Sequence, residues 1–164
     1  PEEKLSPHYE TFEIGKAEVL REGADGALLA YGAMVYRCLQ AAEKLSEKGI
    51  EVTVVNARFV KPLDKELILE LIRNHKLIIT AEDHALMGGF GSAVLELVSD
   101  ERENVNKILR MGIPDCFIEH GPRNLMLKNI GLDEGGIADK FITTLDLMNI
   151  RGSFTKTGKQ RLSV

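Results

Sequence analysis

Several groups of residues in this chain are of types that could do chemistry. Arg58 lies in the run Arg58-Phe59-Val60-Lys61-Pro62-Leu63-Asp64. A guanidinium is a planar fork of donors that fits a phosphate or carboxylate bidentately, so Arg58 could hold an anionic substrate. The competing reading is a structural ion pair with Asp64 or Glu82, with Lys61 a solvated neighbour. Gly88-Gly89-Phe90-Gly91-Ser92 is a glycine-rich loop ahead of a helical pattern. Glycines permit close backbone approach to a phosphate, and helix N–H groups attract anions. The match to a nucleotide loop is incomplete. Val94 stands where the dinucleotide fingerprint has Gly or Ala, and the Lys-Ser/Thr of the P-loop is missing. A tight turn made for backbone packing is the favoured reading.

Glu82-Asp83-His84 and Glu119-His120 have the side chains of a metal site or an acid/base set. They lack a ligand spacing such as HExxH, and acids at a strand end commonly cap the next turn or pair with a base. Cys116, beside Phe117, could be a nucleophile only with a base against it; buried small filler is the expected role. His8 and His75 read as surface residues. These residues suit an α/β ligand-binding or enzyme-component domain and contain no complete catalytic constellation.

The elements that must position them follow from hydrophobic periodicity. Ala27–Tyr31 is a continuous apolar run ending at Gly32, as in a strand buried on both faces. Val35, Cys38, Leu39, Ala42 and Leu45 form one helical stripe, stopped by Gly49. Val52–Val55 is β-branched. Asp64 is a helix N-cap, with Leu63 placed to pack on Ile68, and Leu67, Ile68, Leu71 and Ile72 form the buried face. Leu77–Ala81 and Lys107–Met111 are two further strands, separated by a helix over Ser92–Ser99. Leu125–Ile130 is a short helix ended by Gly131. Asp133 caps a last helix whose stripe is Ile137, Phe141, Leu145 and Met148. Glu18–Arg21 could be an added edge strand. Alternating strands and helices imply parallel strands, right-handed crossovers and a three-layer α/β/α domain. Ligands in such sheets gather at the carboxyl ends of the strands, here near Gly32, Arg58, Glu82–Gly91 and Gly112–Asp115.

The 164 residues carry net charge −4, with 44% hydrophobic and 28% charged residues. That composition is ordinary for a globular domain and long enough to bury a core. The acidic balance argues against a nucleic-acid partner, and no apolar run reaches the ~20 residues of a membrane span. Two cysteines, Cys38 and Cys116, are too few for a disulfide scaffold and suit a reducing compartment. The chain opens at Pro1 rather than Met, so it reads as a piece of a longer protein. Residues 1–11 are an extension from a preceding linker, 12–150 the domain, and 151–164 a basic, disordered tail.

Six runs together resemble a known family. They are Ile14–Leu20, Arg58–Asp64, Glu82–Val94 (EDHALMGGFGSAV), Gly112–Asp115, Phe117–Gly121 and Gly131–Asp133. The glycine loop resembles the transketolase C-terminal domain family; the other runs resemble, within it, the 1-deoxy-D-xylulose 5-phosphate synthase family. The resemblance implies a five-stranded mixed sheet between helices, its first strand antiparallel. It implies a cytoplasmic or plastid homodimeric transferase that condenses pyruvate with glyceraldehyde 3-phosphate and releases carbon dioxide. The product feeds isoprenoid, thiamine and pyridoxal synthesis. Thiamine diphosphate and Mg2+ are implied as cofactors held by the preceding domains of the chain, since the family's Gly-Asp-Gly…Asn motif is absent here. No catalytic, cofactor-binding or metal residue is assigned in this chain, which is expected to be inactive alone. Arg58 is the single substrate-binding residue carried over, matching the arginine that reaches towards the aldehyde's phosphate. Leu86, Met87, Phe90 and Phe117 are candidates for subunit or domain contacts, against the alternative of the domain's own core. The competing functions are the equivalent domain of a transketolase or 2-oxo-acid dehydrogenase beta subunit, and a stand-alone anion-binding module.

Overall fold

The structure, a computed structural model, describes residues 11–159, with side chains through Met148. Its elements run β1 (Glu18–Arg21), β2 (Gly26–Ala30), α1 (Met34–Ser46), β3 (Val52–Asn56), α2 (Lys65–Asn74), β4 (Ile78–Ala85), α3 (Phe90–Asp100), β5 (Ile108–Ile113), α4 (Arg123–Asn129) and α5 (Glu134–Lys159). The sheet order is β1-β3-β2-β4-β5. β1 pairs antiparallel with β3, and the remaining pairs are parallel. This is the mixed five-stranded sheet the family resemblance implies.

Strand alternation divides the core in two. Leu28 and Ala30 of β2 face one side with Val54, Ile79 and Ala81, where Met34, Cys38 and Leu45 of α1 and Ile137 and Phe141 of α5 cover them. Ala27 and Leu29 face the other side with Val55 and Ile78, covered by Ile68 and Ile72 of α2 and by Phe90, Val94 and Val98 of α3. Every residue of β2 is buried, the pattern of a central strand with helices on both faces.

Local chemistry sets the helix ends. Gly49, at φ +76°, follows α1, and the Ile50 N–H donates back to the Leu45 carbonyl, closing the helix. Asp64 accepts from the Leu67 N–H at 3.2 Å as the expected N-cap of α2, and also from the Ala17 N–H at 3.0 Å, which ties the approach to β1 onto α2. Asp133 Oδ1 accepts from the Gly136 N–H at 2.9 Å at the start of α5. Several boundaries differ from expectation, three of them for reasons the structure shows. β4 runs on to Ala85 because, after a shift in register past Ala81, it pairs again with β5 at Ala85↔Ile113. α3 begins at Phe90, two residues inside the glycine loop, because a buried carboxylate caps it there. The α5 backbone continues to Lys159, past the boundary set at 150. The rest of the tail, and residues 1–10 with His8, lie outside the described residues.

Candidate functional site

Two crevices open where neighbouring strands send their chains to opposite faces. The loop after β2 leads to α1; those after β3 and β4 lead to α2 and α3 on the other face. The chain therefore parts between β2 and β3 and between β2 and β4, the positions where open α/β sheets bind ligands. Each crevice holds a cavity open to solvent, and the two share Tyr31. The first, about 440 Å3, is lined by Phe12, Glu18, Tyr31, Gly32, Asn56 and Arg58 among others. The second, about 220 Å3, includes Tyr31, Glu82, His84, Gly89 and Phe90. Tyr31 and Phe90 stack at 5.5 Å between ring centres.

Arg58 stands on the first crevice. Its backbone is in the left-handed region, φ +55°, a conformation that costs a non-glycine residue about 1 kcal/mol or more and concentrates at functional sites. The Phe59 N–H donates to the Ala57 carbonyl across it, closing a three-residue turn, and the Arg58 N–H donates to Asn56 Oδ1 at 3.1 Å. The side chain pairs with neither Asp64 nor Glu82. Nη2 donates to Glu18 Oε2 at 2.6 Å, and the guanidinium carbon lies 4.3 Å from the centre of the Phe12 ring. Glu18 reaches this rim because β1 is antiparallel: Glu18 opens β1 and pairs with Asn56, the last residue of β3. The Arg58 side chain is 23% exposed, neither sealed nor free. Among the described residues its Nε and Nη1 make no hydrogen bond.

The glycine loop has a different answer. Glu82 is fully buried, and its two carboxylate oxygens accept from the Phe90 and Gly91 N–H groups at 2.6 and 2.8 Å. The positive end of α3 is thus occupied by the protein's own anion. A Cβ on Gly89 would collide with the Glu82 carboxylate, and one on Gly91 would meet Thr80 Oγ1 at 2.5 Å. The glycines serve the close packing of this loop on β4, as the tight-turn reading requires. Arg110 of β5 tightens it further, donating to the Leu86 carbonyl at 2.9 Å and to Ser92 Oγ at 2.7 Å.

The other candidates are dispersed. Asp83 pairs with Arg123, while His84, Glu119 and His120 are exposed. Among the described residues no three His, Cys, Asp or Glu side chains gather to hold a metal. Cys116 is exposed rather than buried, because Pro114–Phe117 forms an outlying loop beyond β5. The buried thiol is Cys38, whose pKa burial pushes up to about 12, leaving it inert. His75 is buried rather than on the surface: it ends α2, its Nε2 lies 3.4 Å from Thr53 Oγ1, and burial holds its pKa below the usual 6.5. Phe90 is core at 2% exposure; Met87 and Phe117 are well exposed. No described helix is long and apolar enough to cross a membrane. Sequence reasoning gave Glu18 no role at the site. Its signal was its place at the start of an edge strand, and that has meaning only once the strand's direction is known.

Comparison with known proteins agrees with this fold. The family "Transketolase, C-terminal domain" matches residues 15–137. The chain is 54% identical over 125 residues to 1-deoxy-D-xylulose-5-phosphate synthase 1 of Geobacter sulfurreducens, covering 76% of this chain and 20% of that protein. It is 49% identical over 145 residues to the 1-deoxy-D-xylulose-5-phosphate synthase of a Synechococcus strain, covering 88% and 22%. The chain thus spans about a fifth of the length of these curated relatives. Among solved structures, one described as a split gene transketolase, inactive beta4 tetramer, superposes with TM-score 0.78 and 34% identity over 89% of this chain and 47% of that one. A transketolase of Pichia stipitis shares the fold at TM-score 0.60 and 17% identity, over 81% and 18%. On the sheet order and these matches, the chain belongs to the transketolase C-terminal domain family.

Proposed function

We propose that the chain is the C-terminal domain of a thiamine diphosphate-dependent synthase that joins pyruvate to glyceraldehyde 3-phosphate, releasing carbon dioxide and forming 1-deoxy-D-xylulose 5-phosphate. In it, Arg58 binds the phosphate of the aldehyde. One observation carries the reading: a strained, half-buried arginine at the β2/β3 crevice, whose Nε and Nη1 make no hydrogen bond among the described residues, stands beside a cavity of about 440 Å3. A dianionic phosphate meeting a guanidinium forms short charge-assisted bonds. The site then anchors the non-reacting end of the substrate, and that anchoring holds the aldehyde carbon in line for attack.

The described residues do not fit the cofactor. The α3 N-terminus, the natural place for a diphosphate, is filled by Glu82, and no metal-binding group of side chains is present among them. In this reading thiamine diphosphate and Mg2+ are held by the other domains of a full-length protein, and this chain alone does not turn over. Met87 and Phe117, exposed on the same rim, are the side chains offered for contact with those domains or with the second subunit of a homodimer.

Arg58→Ala in the full-length synthase tests the reading. The expected result is a KM for glyceraldehyde 3-phosphate raised roughly tenfold or more, with the KM for pyruvate little changed. Equal effects on both substrates would assign Arg58 a structural role. A second reading, the equivalent domain of a transketolase, draws support from the 34% identity to the split-gene protein. It predicts turnover of ketose phosphates in place of pyruvate.

A further inference from the structure

We infer that Glu18 is a positioning residue for Arg58, holding its guanidinium in the geometry that receives a phosphate; the inference rests on the function proposed above. Three restraints converge on this side chain. The left-handed turn at Arg58 turns its Cα–Cβ bond away from the path an extended strand would take. The Phe12 ring covers one face of the guanidinium at 4.3 Å. Glu18 Oε2 takes one N–H of Nη2 at 2.6 Å. A guanidinium has five N–H donors, and among the described residues only the bond to Glu18 takes one, which leaves the rest for a ligand. An arginine side chain loses much rotamer freedom on binding, and restraining it beforehand removes that cost.

The backbone explains why Glu18 can do this. It sits at the one point where the antiparallel edge strand meets the carboxyl end of a parallel one, paired with Asn56. Asn56 in turn accepts the Arg58 N–H through its side chain. Glu18, Asn56 and Arg58 therefore form one connected unit across β1 and β3. Glu18 remains 41% exposed along its side chain, so it stays hydrated and does not close the cavity it lines.

The test uses Glu18→Ala, Glu18→Gln and Arg58→Ala in the full-length synthase, with steady-state kinetics in both substrates and thermal unfolding of each variant. Glu18→Ala should raise the KM for glyceraldehyde 3-phosphate about fivefold, the upper end for a half-exposed charge pair, and leave kcat and the KM for pyruvate in place. Glu18→Gln keeps an oxygen acceptor in the same position and should recover most of the loss. Added to Arg58→Ala, the Glu18→Ala change should have no further effect. A lower KM in Glu18→Ala would overturn the inference, because Glu18 would then be a competitor of the ligand. So would an unchanged KM while Arg58→Ala raises it, which leaves the phosphate role of Arg58 standing. A parallel rise in both KM values together with a lower melting temperature would reduce Glu18 to a structural contact and equally overturn it. If Arg58→Ala itself changes nothing, the phosphate-binding reading falls and takes this inference with it.

Discussion

Two anion-attracting devices stand side by side on the carboxyl rim of this sheet, and only one is open. The α3 N-terminus has the glycines, the helix dipole and the N–H groups of a phosphate loop, yet both oxygens of the buried Glu82 occupy it. The crevice around Arg58 has no motif of that kind. It has an aromatic face, a cavity and guanidinium donors that are unbonded among the described residues. The difference is one of saturation. A carboxylate with no exposed surface that makes two charge-assisted bonds to backbone is a structural cap. A guanidinium with one bond among the described residues, partly in water and on a strained backbone, keeps capacity for a ligand.

The largest expected effect lies on the closed side. Glu82→Ala leaves two buried N–H groups without an acceptor and should cost about 3 kcal/mol in denaturant unfolding of the chain. Hydrogen exchange of the Phe90 and Gly91 amides should quicken with it. A loss below about 1 kcal/mol would erase the contrast between the two devices. A control at the opposite end of the sheet comes next. Burial holds the His75 pKa below 6.5, so the unfolded chain binds its proton at a higher pH than the folded one. The sign follows: stability should be at its full value above pH 6.5 and fall as the pH drops through the interval down to the folded-state pKa. His75→Gln should flatten that dependence, as followed by unfolding midpoints across pH 5–8. The smallest effect on stability belongs to the open side. Arg58→Gly relieves a left-handed residue while losing a half-exposed ion pair, so the net change should stay within about 1 kcal/mol. The KM for the phosphate-bearing substrate should nonetheless rise roughly tenfold or more, as for Arg58→Ala. A large destabilisation would make Arg58 another cap, like Glu82.

Much of the fold was legible because its signals are local. The continuous run Ala27–Tyr31, the stripe of α1 and the Asp64 and Asp133 caps each depend on neighbours within a few residues, and the structure keeps them. Cys116 and His75 were misread because burial depends on what arrives from elsewhere. His75 is covered because it ends α2 against Thr53 of β3, and Cys116 is bare because the segment after β5 runs outward. Arg58 could be singled out by type and by its place after a strand. Its partner could not, because Glu18 is 40 positions away in sequence.

Residue order alone determined the α/β class, the parallel core strands and the family, since periodicity, capping and motif runs are properties of short stretches of chain. Tertiary structure alone decided which rim group is open. That depends on the antiparallel course of β1, which carries Glu18 to Arg58, and on the extension of β4, which carries Glu82 under α3. Both are pairings across the sheet, where the free energy of an ion pair or a cap is set by burial and neighbours that no local stretch specifies.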